Sequence, residues 1–147
     1  MSTLTEPKAG QRSAQAERIR MASFGALTML ILQSVLGTAY NLYGTAPADG
    51  KSIGMFSSPL LAVHVILGIL IIVAAAFLVF RGVQAKIGAP VLGASVVGLL
   101  AVLGAAGAGS AFTSDGANGA SFGMALATAI AMLCYAANLV ILGKQRG

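Results

Sequence analysis

Four long apolar stretches, separated by short polar ones, set the pattern of this chain. From Met21 to Tyr43 runs MASFGALTMLILQSVLGTAYNLY, without a charge. From Pro59 to Phe80 runs PLLAVHVILGILIIVAAAFLVF, again uncharged. A third stretch covers 90–109 and a fourth 120–142. Each reaches the roughly 20 apolar residues that a helix needs to cross a bilayer. Barrel strands would alternate polar with apolar positions. These runs are continuously apolar, which predicts helices. The expected fold is all-α, an antiparallel four-helix bundle integral to the membrane.

The breaks carry helix punctuation. Ser57 and Ser58 precede Pro59, a residue suited to the first helical position, so both are cap candidates. Pro90 opens the third span and Gly143 stands where the fourth should stop. The connections are 44–58, the short Arg81–Gln84–Lys86 turn, and a polar turn over 110–119 with Asp115, Gly116 and Asn118. Residues 1–20 are polar and basic and read as a mobile tail. Residues 144–147 form a basic end. Ala46-Pro47-Ala48 has the small residues of a signal-peptide cleavage site. The apolar run before it is too long for a signal core, roughly 7–15 residues, so span one is retained.

Composition agrees with this reading. Of 147 residues, 57% are hydrophobic and 9% charged, whereas soluble domains carry about 25% charged residues. Mean hydropathy is +0.88. These values exclude a soluble enzyme, a disordered chain and a nucleic-acid-binding domain. Four spans account for the length and leave no separate soluble domain. The single Cys134 excludes an intrachain disulfide.

The net charge of +5 is explained by where the charges lie. Lys8, Arg12, Arg18, Arg20, Arg81, Lys86, Lys144 and Arg146 fall on one side of the four-span arrangement, and Lys51 alone on the other. The positive-inside rule then places the chain in the cell membrane with both termini cytoplasmic. Binding of anionic lipid head groups is the functional alternative for the basic tail.

Small residues predict the packing faces, because helices in lipid associate by close approach. Gly119, Gly123, Ala127 and Ala131 form a ridge at steps of four on span four. Gly104 and Gly68 mark faces on spans three and two. Such faces serve the bundle itself, a homo-oligomer or other membrane subunits. Met21, Met29, Met124 and Met132 read as packing residues.

No acidic or basic residue lies inside a span, which argues against a carboxylate-based proton pump and a voltage sensor. The polar set within the spans is Gln33, Ser34, Thr38, Asn41, His64, Ser95, Thr128, Cys134, Tyr135 and Asn138. One His, one Cys and two loop Asp residues supply no metal-ligand set, so no metal site is expected. No Ser-His-Asp arrangement or phosphate loop is present, and no catalytic residue is assigned.

His64 lies about 9 Å along its helix from the 44–58 connection, with Gly68 one turn deeper. Gln33, Gly37, Tyr40 and Asn41 share one face of span one. His64 is thus within reach of Gln33, Thr38 or Asn41, and these four form the expected intramembrane polar cluster. The plain reading of His64 is an interhelical hydrogen bond. The alternative is an axial ligand to haem b, since a neutral imidazole can bind iron. LLAVHVILGIL resembles the haem-carrying spans of cytochrome b561 and haem A synthase, families that pair several histidines where this chain has one.

QSVLGTAYNLYG, SPLLAVHVILG and ANGASFGMALATAIAMLCYA together resemble an uncharacterised family of small four-span bacterial membrane proteins common in actinobacteria, over most of 25–142. The resemblance implies the fold and the membrane location and supplies no activity. The expected function is a non-enzymatic multi-pass membrane protein, without cofactor, acting through its helix faces as an oligomer or accessory subunit. Two alternatives stay open: haem-based electron transfer or haem handling through His64, and transport of an uncharged or lipophilic solute.

Overall fold

The computed structural model describes residues 9–45, 47–48, 50–116 and 118–144. The first eight residues of the expected tail, Ala46 of the weighed cleavage site, and 145–147 of the basic end lie outside the described residues. Four helices follow in order: α1 (Ala9–Tyr43), α2 (Pro59–Gln84), α3 (Ala89–Asp115) and α4 (Asn118–Lys144). All four contain segments long and apolar enough to cross a membrane. The chain is a multi-pass membrane protein built as a helical bundle. Consecutive helices pack side by side and α4 closes the square against α1, while the backbones of the diagonal pairs stay apart and meet only through side chains in the core. The bundle therefore has a loop end, with the 44–58 and 116–118 connections, and a basal end, with the start of α1, the 85–88 turn and the end of α4.

The helices outrun the apolar stretches. α1 begins at Ala9, so residues 9–20, read from the sequence as tail, continue the helix of span one. Their Ala, Gln, Arg and Glu are good helix formers, and Ile19 is buried against Val91 and Leu142. α3 runs on to Asp115 through Ser110, where a turn was expected, and α4 continues through Gly143. Apolarity marks the part of a helix that meets hydrocarbon, not the end of its backbone hydrogen bonding.

Helix ends follow local chemistry. Leu61 N–H donates to Ser58 Oγ at 3.2 Å, so Ser58, with Pro59 behind it, is the cap of α2. α3 ends on Gly116, whose φ of 64° suits a residue without a side chain. The Ala48 carbonyl oxygen also lies 2.8 Å from where a Cβ at Gly116 would stand.

Inward residues recur at alternating steps of three and four on every helix. On α1 they are Ile19, Ser23, Ala26 and Leu30, continuing to Gln33, Gly37 and Tyr40. On α2 the series is Leu61, His64, Gly68, Ile71, Ala75, Leu78 and Gly82. This is the seam of left-handed, coiled-coil-like bundles. In register, Ile19, Val91 and Leu142 form a basal layer. Ser23, Ser95 and Asn138 come next, all fully buried. Tyr135 then fills the space over Gly98, and Leu30, Ile71, Ala75, Val102 and Ala131 form the central core.

The outer face of α2 has the same spacing in bulkier residues: Val63, Ile66, Leu70, Val73, Phe77 and Phe80, all exposed. The small residues of α2's inner series, Gly68, Ala75 and Gly82, have no counterpart on this outer face, as expected where lipid removes the hydrophobic drive and helices associate by close approach.

Candidate functional site

Above the central core the seam residues shrink, and the four helices border a cavity of about 420 Å³ in the loop half, open in part to the outside between the helices. Leu30, Ile71, Val102 and Met132 bound it toward the core, and Met55 of the 44–58 connection contributes at the loop end. That connection is tied across the end of α3: Gly50 N–H donates to the Asp115 carbonyl at 3.0 Å and Ile53 N–H to the Thr113 carbonyl at 2.8 Å. Ala105 and Gly109 of α3 and Thr128 of α4 leave the room that larger side chains would fill. The lining is mostly aliphatic and contains no charged side chain.

All four members of the expected polar cluster line this cavity. Gln33 and His64 pair directly. Gln33 Nε2 donates to the His64 backbone carbonyl at 3.0 Å and lies 3.1 Å from His64 Nε2. An amide nitrogen set between two acceptors makes His64 Nε2 the unprotonated ring nitrogen and leaves the proton on Nδ1. Each side chain covers a glycine of the opposite helix. A Cβ at Gly68 would stand 3.1 Å from Gln33 Nε2, and one at Gly37 3.1 Å from His64 Cε1. Gln33-x-x-x-Gly37 and His64-x-x-x-Gly68 thus interlock as two copies of one device across the α1–α2 contact.

Asn41 pairs elsewhere. Its Nδ2 donates to Ser121 Oγ of α4 at 3.0 Å. Thr38 is an exposed part of the wall. Gln33 Oε1 and His64 Nδ1 are buried and make no hydrogen bond. An unmet buried polar atom costs about 1–3 kcal/mol, so this wall holds one unused acceptor and one unused donor.

A second polar group occupies the basal half. Asn138 Nδ2 donates to Ser95 Oγ at 2.9 Å, and Ser95 Oγ donates to the Val91 carbonyl at 2.8 Å. Asn138 Oδ1, Ser23 Oγ and Tyr135 Oη are buried without a hydrogen-bond partner.

The expected packing residues divide. Ala131 is fully buried. A Cβ at Gly123 would meet Ala108 Cβ at 3.8 Å, so this position touches α3. Gly68 receives Gln33, and Ala127 is half-buried. Gly104 and Gly119 face outward, with nothing within 4 Å of an added Cβ. Met29 and Met132 pack on the core and Met124 lines the cavity, whereas Met21 lies outside. Among the described residues no group of His, Cys, Asp and Glu could hold a metal ion.

For the haem alternative, the structure shows His64 Nε2 engaged by the Gln33 amide and no cationic side chain in the cavity lining. No protein-family model, curated protein or solved structure matches this chain.

Proposed function

We propose that this membrane protein binds a small, predominantly apolar molecule in the loop-half cavity, as a non-enzymatic binder or carrier of a lipophilic solute. The observation that carries this reading is the cavity itself. About 420 Å³ of mostly aliphatic space stands at the meeting point of four helices, within the usual range of about 300–1,000 Å³ for ligand sites. The wall also supplies what orients such a ligand. A hydroxyl or carbonyl on an otherwise apolar body would meet the unused Gln33 acceptor or His64 donor after a small side-chain shift. In this reading His64 acts by hydrogen bonding, and its neutral imidazole is held by Gln33.

The test uses 1-naphthol, an apolar ring system with one hydroxyl. Saturable binding to the purified protein in detergent is expected, together with a rise in its thermal unfolding temperature. Ala105→Phe, which fills the cavity, should abolish both. Equal binding by the parent and Ala105→Phe would overturn the reading.

The oligomer or accessory-subunit reading keeps a different observation: the exposed Gly104, Gly107 and Gly119 leave open space on the outer faces of α3 and α4. A second helix pressed there would give a change in sedimented mass that Gly104→Leu abolishes. For orientation, we infer from the charge asymmetry that the basal end is cytoplasmic and the cavity lies in the outer half. Reporter fusions at Lys144 should then read cytoplasmic and fusions at Gly50 external. The reverse pattern would refute it.

A further inference from the structure

At the basal end a second, smaller cavity of about 80 Å³ opens between α1 and α2. Gln15, Arg18 and Ile19 line it from α1, and Arg81, Gln84 and Ala85 from the end of α2. The lining residues are two arginines, two glutamines, an isoleucine and an alanine, with no acidic residue among them. Among the described residues neither Arg18 nor Arg81 forms a salt bridge; the ion pair at this end joins Arg20 to Glu17 at 3.8 Å. Two arginines therefore line one small space, with no carboxylate among its described lining residues.

The level of this space matters as much as its charge. Arg81 is the first charged residue after the apolar run of α2, and Arg18 and Arg20 stand just before the apolar run of α1. The cavity thus straddles the boundary between hydrocarbon and water. Its inner side is closed by Ile19, part of the basal apolar layer. The Arg81 guanidinium lies 5.2 Å from the centre of the Phe77 ring, one turn back toward the core, which holds it at this depth. Phe77, Phe80 and Met21, exposed apolar residues, lie near this end of α2 and α1 in the sequence of each helix. A planar donor fork, an uncharged amide on each side and an adjacent apolar surface match a phosphodiester attached to acyl chains.

We propose that the Arg18–Arg81 cavity binds the phosphate of an anionic membrane lipid, with the lipid's acyl chains lying along the exposed Met21, Phe77 and Phe80. The guanidinium groups hold the phosphate oxygens, Gln15 and Gln84 donate to the remaining head-group oxygens, and the site fixes one lipid where α1 meets α2. Basic pockets between helices at a membrane surface are suited to this recognition. The site is independent of the loop-half cavity and stands or falls separately.

The shared chemistry is phosphate, and the test separates its sources. Purified protein in detergent is titrated with dioleoyl phosphatidylglycerol, dioleoyl phosphatidylcholine or inorganic phosphate, and bound adducts are read by native mass spectrometry. Retention of phosphatidylglycerol over phosphatidylcholine is expected, without displacement by inorganic phosphate. At about 1 kcal/mol per basic residue near the surface, each arginine is a factor of about five. Arg18→Gln with Arg81→Gln should therefore weaken phosphatidylglycerol binding about 25-fold. Lys86→Gln with Lys144→Gln removes the same net charge outside the cavity and should leave most of the binding intact. Gln15→Leu, an exposed change that keeps both arginines, should also lower retention and guards against a double variant that fails to fold. Equal retention of both lipids, displacement by free phosphate, or the same loss in the lysine and arginine pairs would each overturn the proposal.

Discussion

The loop half and the basal half of this bundle use one seam and do opposite things with it. Both place inward residues at alternating steps of three and four on every helix. In the basal half those residues fill the interior: Tyr135 lies over Gly98, and Leu78 and Val91 are at most 2% exposed. In the loop half the same positions hold Gly37, Gly68, Ala105 and Gly109, and a cavity of about 420 Å³ remains. Each helix is continuous through both halves, so side-chain volume along the seam separates the half that fills its interior from the half that leaves a cavity.

The comparison breaks first at Tyr135. Tyr135→Ala should cost about 3–5 kcal/mol, as for other large core side chains, read as a lower thermal unfolding temperature in detergent. Ala105→Leu, at a seam position of the other half, should leave stability unchanged or raised. A large loss from Ala105→Leu would mean that the loop half is as tightly filled as the basal half.

Glycines sharpen the contrast. A Cβ at Gly98 would stand 2.9 Å from Tyr135 Cζ, so Gly98→Leu should cost about 3 kcal/mol, at the upper end of overpacking. Gly123→Leu, against Ala108, should cost about 1–3 kcal/mol. Gly104→Leu points outward and should stay within about 0.5 kcal/mol of the parent. Equal losses at all three, measured by the same thermal unfolding, would erase the distinction between inner and outer faces.

The polar pair of the loop half should show the smallest effects. Gly37→Ala presses on His64 Cε1 at 3.1 Å and should displace the ring, changing the His64 imidazole resonances in an NMR spectrum with about 1 kcal/mol lost. His64→Gln removes the side-chain contact but keeps the Gln33 bond to the backbone carbonyl at 3.0 Å. Interhelical hydrogen bonds in membranes average about 0.6 kcal/mol, so this variant should fold and remain within about 1 kcal/mol of the parent. Loss of folding in His64→Gln would give the pair a structural weight this account denies it.

How much of this was legible in the sequence differs between fold and site. The four spans were, because twenty apolar residues in a row have few other uses. Their ends were not, because α1 and α3 continue through polar residues whose helix is stabilised by local propensity and by contacts such as Ile19 with Leu142. Matching levels on neighbouring helices put Gln33, Thr38 and Asn41 within reach of His64 without choosing among them; the structure pairs it with Gln33. Asn41 with Ser121 did not, since the distance between α1 and α4 is set by packing no local pattern encodes. The seam was hidden because both faces of every helix are apolar, so hydrophobicity marks no side. Glycines and polar residues taken together at steps of three and four would have exposed it: Gln33 with Gly37, His64 with Gly68, Ser95 with Gly98, Tyr135 with Asn138. The steps-of-four ridge on α4 drifts off the true seam, which is why Gly119 ends up outside. The Arg18–Arg81 cavity was concealed in what read as a topological signal and a tail.

The central claim is that the loop half holds an apolar molecule. The most direct measurement is native mass spectrometry of the protein extracted mildly from its own membranes, alongside Ala105→Phe. The account predicts one molecule per chain, mostly hydrocarbon with a single hydrogen-bonding group, released from the parent and absent from the variant. A parent that carries nothing, or a variant that carries the same molecule, would contradict it.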